Sequence, residues 1–99
     1  MNPARVRREA VRMLTDLPNV GPATAGDLRL LGIDTPPQLV GRDAWALYAE
    51  LCLITQQQHD PCVIDVFLSI TDFMHGGEAR PWWHYTAQRK AQAMAATDS

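Results

Sequence analysis

Apolar residues recur along this chain at intervals of three and four nearly everywhere, the spacing that lines one face of an α-helix. Val6, Ala10, Met13, Leu14 and Leu17 form the first such stripe, while Arg5, Arg8 and Arg12 follow the same spacing on another face. The pattern predicts an opening amphipathic helix with a short basic edge. "LPNVG" ends it. Pro22 stands where proline suits a first helical position, because its missing N–H would be unpaired there in any case. Ala25, Leu28 and Leu31 give a short second helix its inner face, and Gly32 closes it.

The remaining elements announce themselves by their caps. Thr35, with Gln38 three residues on, predicts a capping box and one or two helical turns. Asp43 starts a helix whose inner face is Ala44, Leu47, Tyr48, Leu51 and Cys52. Asp60-Pro61 starts the most apolar run, "CVIDVFLSITDFM", which Gly76-Gly77 ends. Val63, Val66, Phe67, Ile70, Phe73 and Met74 cover one broad side of it, and Ile64 and Leu68 widen that side. Only Asp65, Ser69 and Asp72 make a polar strip, expected to face solvent or cap neighbours. If buried, Asp65 needs a partner such as Arg80, Arg89 or an indole N–H. A polar helix from about Thr86 to Ala96 closes the chain. No strand pattern, repeat or low-complexity tract appears. The expected fold is all-α, a compact bundle of about five helices in a single domain over residues 1–99, with a hairpin within 4–33 and additional helices over 36–96.

Composition narrows the function classes. An apolar share of 46% and a charged share of 20% over 99 residues suit one small globular core. A net charge of −2 excludes a general electrostatic pull toward nucleic acid or anionic membrane, so any such contact must come from a local patch. Cys52 and Cys62 are too few for a disulfide framework, and neither a leader nor a spanning apolar run is evident. A cytoplasmic protein with two thiols and no membrane contact is expected.

The front half then acquires a chemistry. A helix, "LPNVGPATA", a second helix and "LGI" resemble the helix-hairpin-helix motif of nucleic-acid-binding proteins. Gly21 leaves no side chain between the main chain and a ligand. The first N–H groups of the helix after it lack intrahelical partners and carry the positive end of the helix dipole, so a phosphate can bind there. The candidate DNA-binding set is Asn19, Gly21, Ala23, Thr24 and Ala25, with Arg5, Arg8, Arg12 and Arg29 as compensating cations. Asn19 stands where the motif usually has its first glycine, and asparagine tolerates the positive φ that position requires. Ala23 stands where many members carry a lysine or arginine.

Taken together, "LPNVGPATAGDLRLLGIDTPPQLVGRDAWALYAELC", "HDPCVIDVF" and "PWWHYTAQRK" look like the pathogenicity-locus family, some of whose members are named mitomycin-resistance proteins. The front half is also similar to the C-terminal domain of TfoX-type competence regulators. The resemblance implies a bacterial helix-hairpin-helix protein, with a DNA-damage or competence setting as suggestion. It supplies no mechanism.

Two later segments carry competing readings. In "HDPC", Cys62 lies in a first helical turn where the dipole lowers a thiol pKa, with His59 close by and Asp65 one turn on. That pattern suits a nucleophile or, with Cys52 and His84, a metal corner. Helix capping by Asp60 and ordinary burial of Cys62 explain the same residues more simply, and no spacing matches a zinc or thiol-enzyme signature. In "PWWHY", exposed Trp82 or Trp83 would stack on unpaired bases; packing against a small core is the commoner use of such rings. The expectation is therefore a non-enzymatic module without cofactor or metal that binds DNA backbone without sequence preference. The alternative is a protein-interaction adaptor, with a different partner or a second copy of itself, that uses the tryptophan cluster or the hairpin as its contact.

Overall fold

The computed structural model describes residues 6–98, the side chains of 96–98 excepted. Among these residues the chain forms four α-helices and no strand: α1 (Pro22–Leu30), α2 (Ala44–Thr55), α3 (Cys62–Met74) and α4 (Thr86–Asp98). Short 3₁₀ turns at Pro36–Leu39 and Trp82–Tyr85 precede α2 and α4. No helix among the described residues is long and apolar enough to cross a membrane.

The predicted caps form. Thr35 and Gln38 close a capping box on the Pro36–Leu39 turn. The Asp43 carboxylate accepts from the Ala46 amide at 2.9 Å, and the Asp60 carboxylate accepts from the Cys62 amide at 2.8 Å. Gly32 and Gly76 end their helices at positive φ, where glycine carries no steric cost.

Helix α3 packs against α2, α4 and both later 3₁₀ turns, so the most apolar segment sits in the middle. Phe67 and Ile70 are fully buried and join Leu14, Leu17, Val20, Leu28, Ile33, Leu39, Leu47 and Leu51 in one core. Each such side chain contributes about 1.5–3 kcal/mol by leaving water. The polar strip of α3 faces inward at Asp65 and Ser69, while Asp72 is exposed. Asp65 is completely buried, accepting from Arg89 Nε and Thr86 Oγ1 at 2.7 Å each. Asp72 accepts from the Tyr85 hydroxyl at 2.6 Å. These bonds fasten the last helix and its preceding turn to α3. The conditional expectation of a partner for Asp65 is met by Arg89.

The opening segment departs from its periodicity. Instead of one amphipathic helix, residues 8–16 contain two 3₁₀ turns, Arg8–Ala10 and Leu14–Asp16, separated by extended backbone. Asp16 is the local cause. Its carboxylate accepts from the Arg12 and Met13 amides at 2.9 Å each, a side-chain-to-backbone pairing that competes with a continuous helix. Arg8 supplies a second constraint. Its guanidinium donates to the Phe73 and Gly77 carbonyls at 2.5 Å each and lies 4.1 Å from the Phe73 ring centroid. An arginine expected on an outer basic face instead caps the C-terminus of α3, where the helix dipole favours a cation.

Candidate nucleic-acid interface

The turn from Leu17 to Gly21 turns an apolar inner face toward the core and an open outer edge toward solvent. Leu17, Pro18 and Val20 are fully buried; Gly21, Pro22 and Ala23 are exposed, and Thr24 is half-buried. Asn19 adopts φ 65°, the left-handed conformation expected of it. Its side chain has a further task that the sequence did not signal. Its amide nitrogen donates to Ser69 Oγ at 3.0 Å and to the Arg80 carbonyl at 2.7 Å, and its oxygen accepts from the Trp82 amide at 3.2 Å. Asn19 thus clamps the turn to the segment before α4, leaving its side-chain amide engaged inward.

Helix α1 begins at Pro22 with Gly21 as its cap, and no side chain caps its first amides. The first bond of the helix runs from the Ala25 amide to the Gly21 carbonyl at 3.0 Å. Ala25 is also fully buried, so its amide leaves the candidate binding set. The amides of Ala23 and Thr24 keep the unpaired status of first-turn donors. Gly21 has φ −98°, open to any residue, and a Cβ added there would meet nothing within 4 Å. Neither strain nor crowding calls for glycine at this position.

The arginines do not form a stripe. Arg5 lies outside the described residues, and Arg8 is committed to the end of α3. Arg12 is exposed, with Nη1 donating to the carbonyls of Glu9 at 2.8 Å and Val11 at 3.3 Å. Of these arginines, Arg29 alone stands on α1, exposed and with no ion pair among the described residues. It follows Pro22 by seven residues, about two turns, and so lies about 10 Å along the same face. The Asp16 carboxylate is held below its ordinary pKa by the Met13 and Arg12 amides.

The His59–Cys62 corner has different electrostatics. The Asp60 carboxylate, hydrogen-bonded to the Cys62 thiol, pushes the thiol pKa up, and burial adds to the effect. This reverses the direction that the helix dipole alone suggests and opposes thiolate formation. His59 Nε2 pairs with Thr55 Oγ1 at 2.8 Å, while its carbonyl accepts from the Tyr48 hydroxyl. Among the described residues, no group of three or more His, Cys, Asp or Glu side chains is placed to hold a metal. In "PWWHY", Tyr85 is buried and Trp82 half-buried, whereas Trp83 is 63% exposed. The packing expectation holds for the tyrosine and not for the second tryptophan.

A model of the family described as Pathogenicity locus matches residues 7–91. The chain belongs to that family. It is also 43% identical over 77 residues to the mitomycin resistance protein McrB of Streptomyces lavendulae, an alignment covering 78% of this chain and 73% of the relative. No solved structure matches it significantly. The family's shared segment therefore takes in the turn, the Asp60 corner and the tryptophan pair together.

Proposed function

We propose that this pathogenicity-locus protein binds nucleic-acid backbone, without sequence preference, at the start of α1. One observation carries the reading: an exposed helix N-terminus whose cap is a glycine that neither its dihedral angles nor its neighbours require. A residue without a side chain at such a point keeps the surface clear for an anion that the Ala23 and Thr24 amides attract. Arg29 adds a cation along the same face. Contacts of this kind position a protein on a strand and read no bases. The name of the Streptomyces relative fits a DNA-damage setting.

Fluorescence anisotropy with a labelled duplex tests the proposal. Binding should weaken as salt rises, with a shallow slope because Arg29 is the cation that the site brings to the phosphates. Thr24→Glu should remove binding while the helical circular dichroism stays unchanged. Flat titrations with duplex, branched and single-stranded DNA alike refute the reading.

A protein-interaction reading draws on another surface. Helix α2 leaves Leu53 78% and Ile54 47% exposed, beside an open groove of about 570 Å³ that Tyr48, Cys52 and Gln57 help to line. Partners bound there would survive nuclease treatment of a lysate, and a self-associating copy would sediment as a dimer.

A further inference from the structure

Trp83 is the least expected surface residue of the protein. Its indole is 63% exposed and forms a T-shaped contact with Trp82, at 5.6 Å between ring centroids and 83° between planes. A T-shaped pair covers at most one face of a ring, so Trp83 keeps at least the other face for another planar group. The position of this ring is tied to the hairpin turn. Asn19 binds the Arg80 carbonyl and the Trp82 amide directly, which brings the backbone of residue 82 within about 15 Å of Gly21 by simple chain reach. The rim of the same segment is cationic and polar: Arg80 is 41% exposed at its side chain, with His84 Nε2 at 3.4 Å from its guanidinium. Glu78 faces Arg80 as a counter-charge, at 3.4 Å.

We infer that Trp83 stacks on an unpaired base of a strand whose phosphates are held at the start of α1, so that the preferred ligand is nucleic acid at a junction between duplex and single strand. The inference rests on the backbone-binding reading above. Backbone amides cannot distinguish paired from unpaired strands, whereas an exposed indole can: its partner must offer a free π-face, and bases within a duplex have none. Asn19 ties the backbone of Trp82, next to the stacking residue, to the turn that starts α1, so one strand of a few nucleotides suffices to meet both elements.

The experiment compares three labelled DNAs by anisotropy: a blunt duplex, the same duplex with a three-nucleotide overhang, and one whose overhang is abasic. The overhang should bind about tenfold more tightly than the blunt duplex, and the abasic overhang should lose that advantage although its phosphates remain. Trp83→Ala should reduce overhang affinity to the blunt level and leave blunt affinity unchanged; Trp83→Phe should restore part of the difference. Intrinsic tryptophan fluorescence should be quenched by the overhang and not by the abasic form. Equal affinity for all three DNAs, unchanged by Trp83→Ala, overturns the stacking inference and leaves backbone binding standing. Absence of binding to any DNA overturns both.

Discussion

Helices α1 and α3 begin alike and end up as opposites. Each has a proline at its start, Pro22 as the first residue of α1 and Pro61 immediately before α3. At α3 the Asp60 carboxylate occupies the dipole's positive end, bonding the Cys62 amide, and the buried Asp65 carboxylate follows in the first turn. At α1 the corresponding cap is Gly21, which brings no acceptor. The same backbone device is neutralised internally in one case and left facing solvent in the other. A helix start therefore says little about anion binding until its cap is known.

The largest expected effect tests how deeply the α3 start is built into the fold. Asp65→Ala leaves the Arg89 guanidinium, 14% exposed at its side chain, without its counter-charge, and should cost about 3 kcal/mol in urea denaturation. At α1 the equivalent anchor is Asn19. Asn19→Gly keeps the left-handed turn but deletes three hydrogen bonds, for a loss of about 2 kcal/mol. Asn19→Ala should lose about 1 kcal/mol more, because alanine is strained at φ 65°. If the two variants unfold at the same urea concentration, the turn is not what the side chain protects.

Converting one start into the other gives a sharper test. Gly21→Asp supplies α1 with the kind of cap α3 already has, and a Cβ fits there. Stability should change by only a few tenths of a kcal/mol, yet DNA affinity should fall by about tenfold or more, since the carboxylate takes the amides and repels phosphate. A Gly21→Asp protein that binds as before would break the distinction. In the reverse direction, Asp60→Asn keeps a capping oxygen but removes the charge beside Cys62. Its thiol should then alkylate several-fold faster near neutral pH, as expected when an acidity-opposing charge is removed; an unchanged rate would mean that burial alone governs the thiol.

The smallest effect is on pH dependence. Asp16 and Asp60 are held below the ordinary carboxylate range by backbone amides. The folded state therefore binds fewer protons than the unfolded one in acid, and their contribution, complete above about pH 4, is lost as pH falls through the folded values. Tyr85 is shifted upward by burial and by its bond to Asp72. Its contribution is complete below about pH 10 and is lost above it. Thermal midpoints should be flat between about pH 4 and about pH 9, above which the raised Cys62 thiol also withdraws its contribution, and Asp16→Asn should shrink the acid-side decline.

Much of this architecture was legible in the residues. Caps were the clearest part, because Thr35–Gln38, Asp43 and Asp60 act within three residues of themselves and need no tertiary context. The inner faces of α1 and α2 followed from periodicity for the same reason. The opening segment misled because its spacing fits a helix, while Asp16 and Arg8 satisfy other groups. The first acts locally, on two amides; the second reaches across 65 and 69 residues to carbonyls that no local pattern marks. At the candidate site, the positive φ of Asn19 was readable and its grip on Ser69, Arg80 and Trp82 was not. Exposure of Trp83 was equally hidden, since composition cannot say which of two adjacent rings turns outward.

The long reach of Arg8 and Asn19 also orders events during synthesis. Both residues are made well before their partners Phe73, Gly77, Arg80 and Trp82, so the segment that carries them cannot lock until residues 73–82 have followed. Contacts so distant along the chain slow acquisition of the native state. An isolated peptide spanning only residues 14–31 would lack the fastenings that give the turn its shape, and truncation before residue 82 should leave that segment pliant and open to proteases.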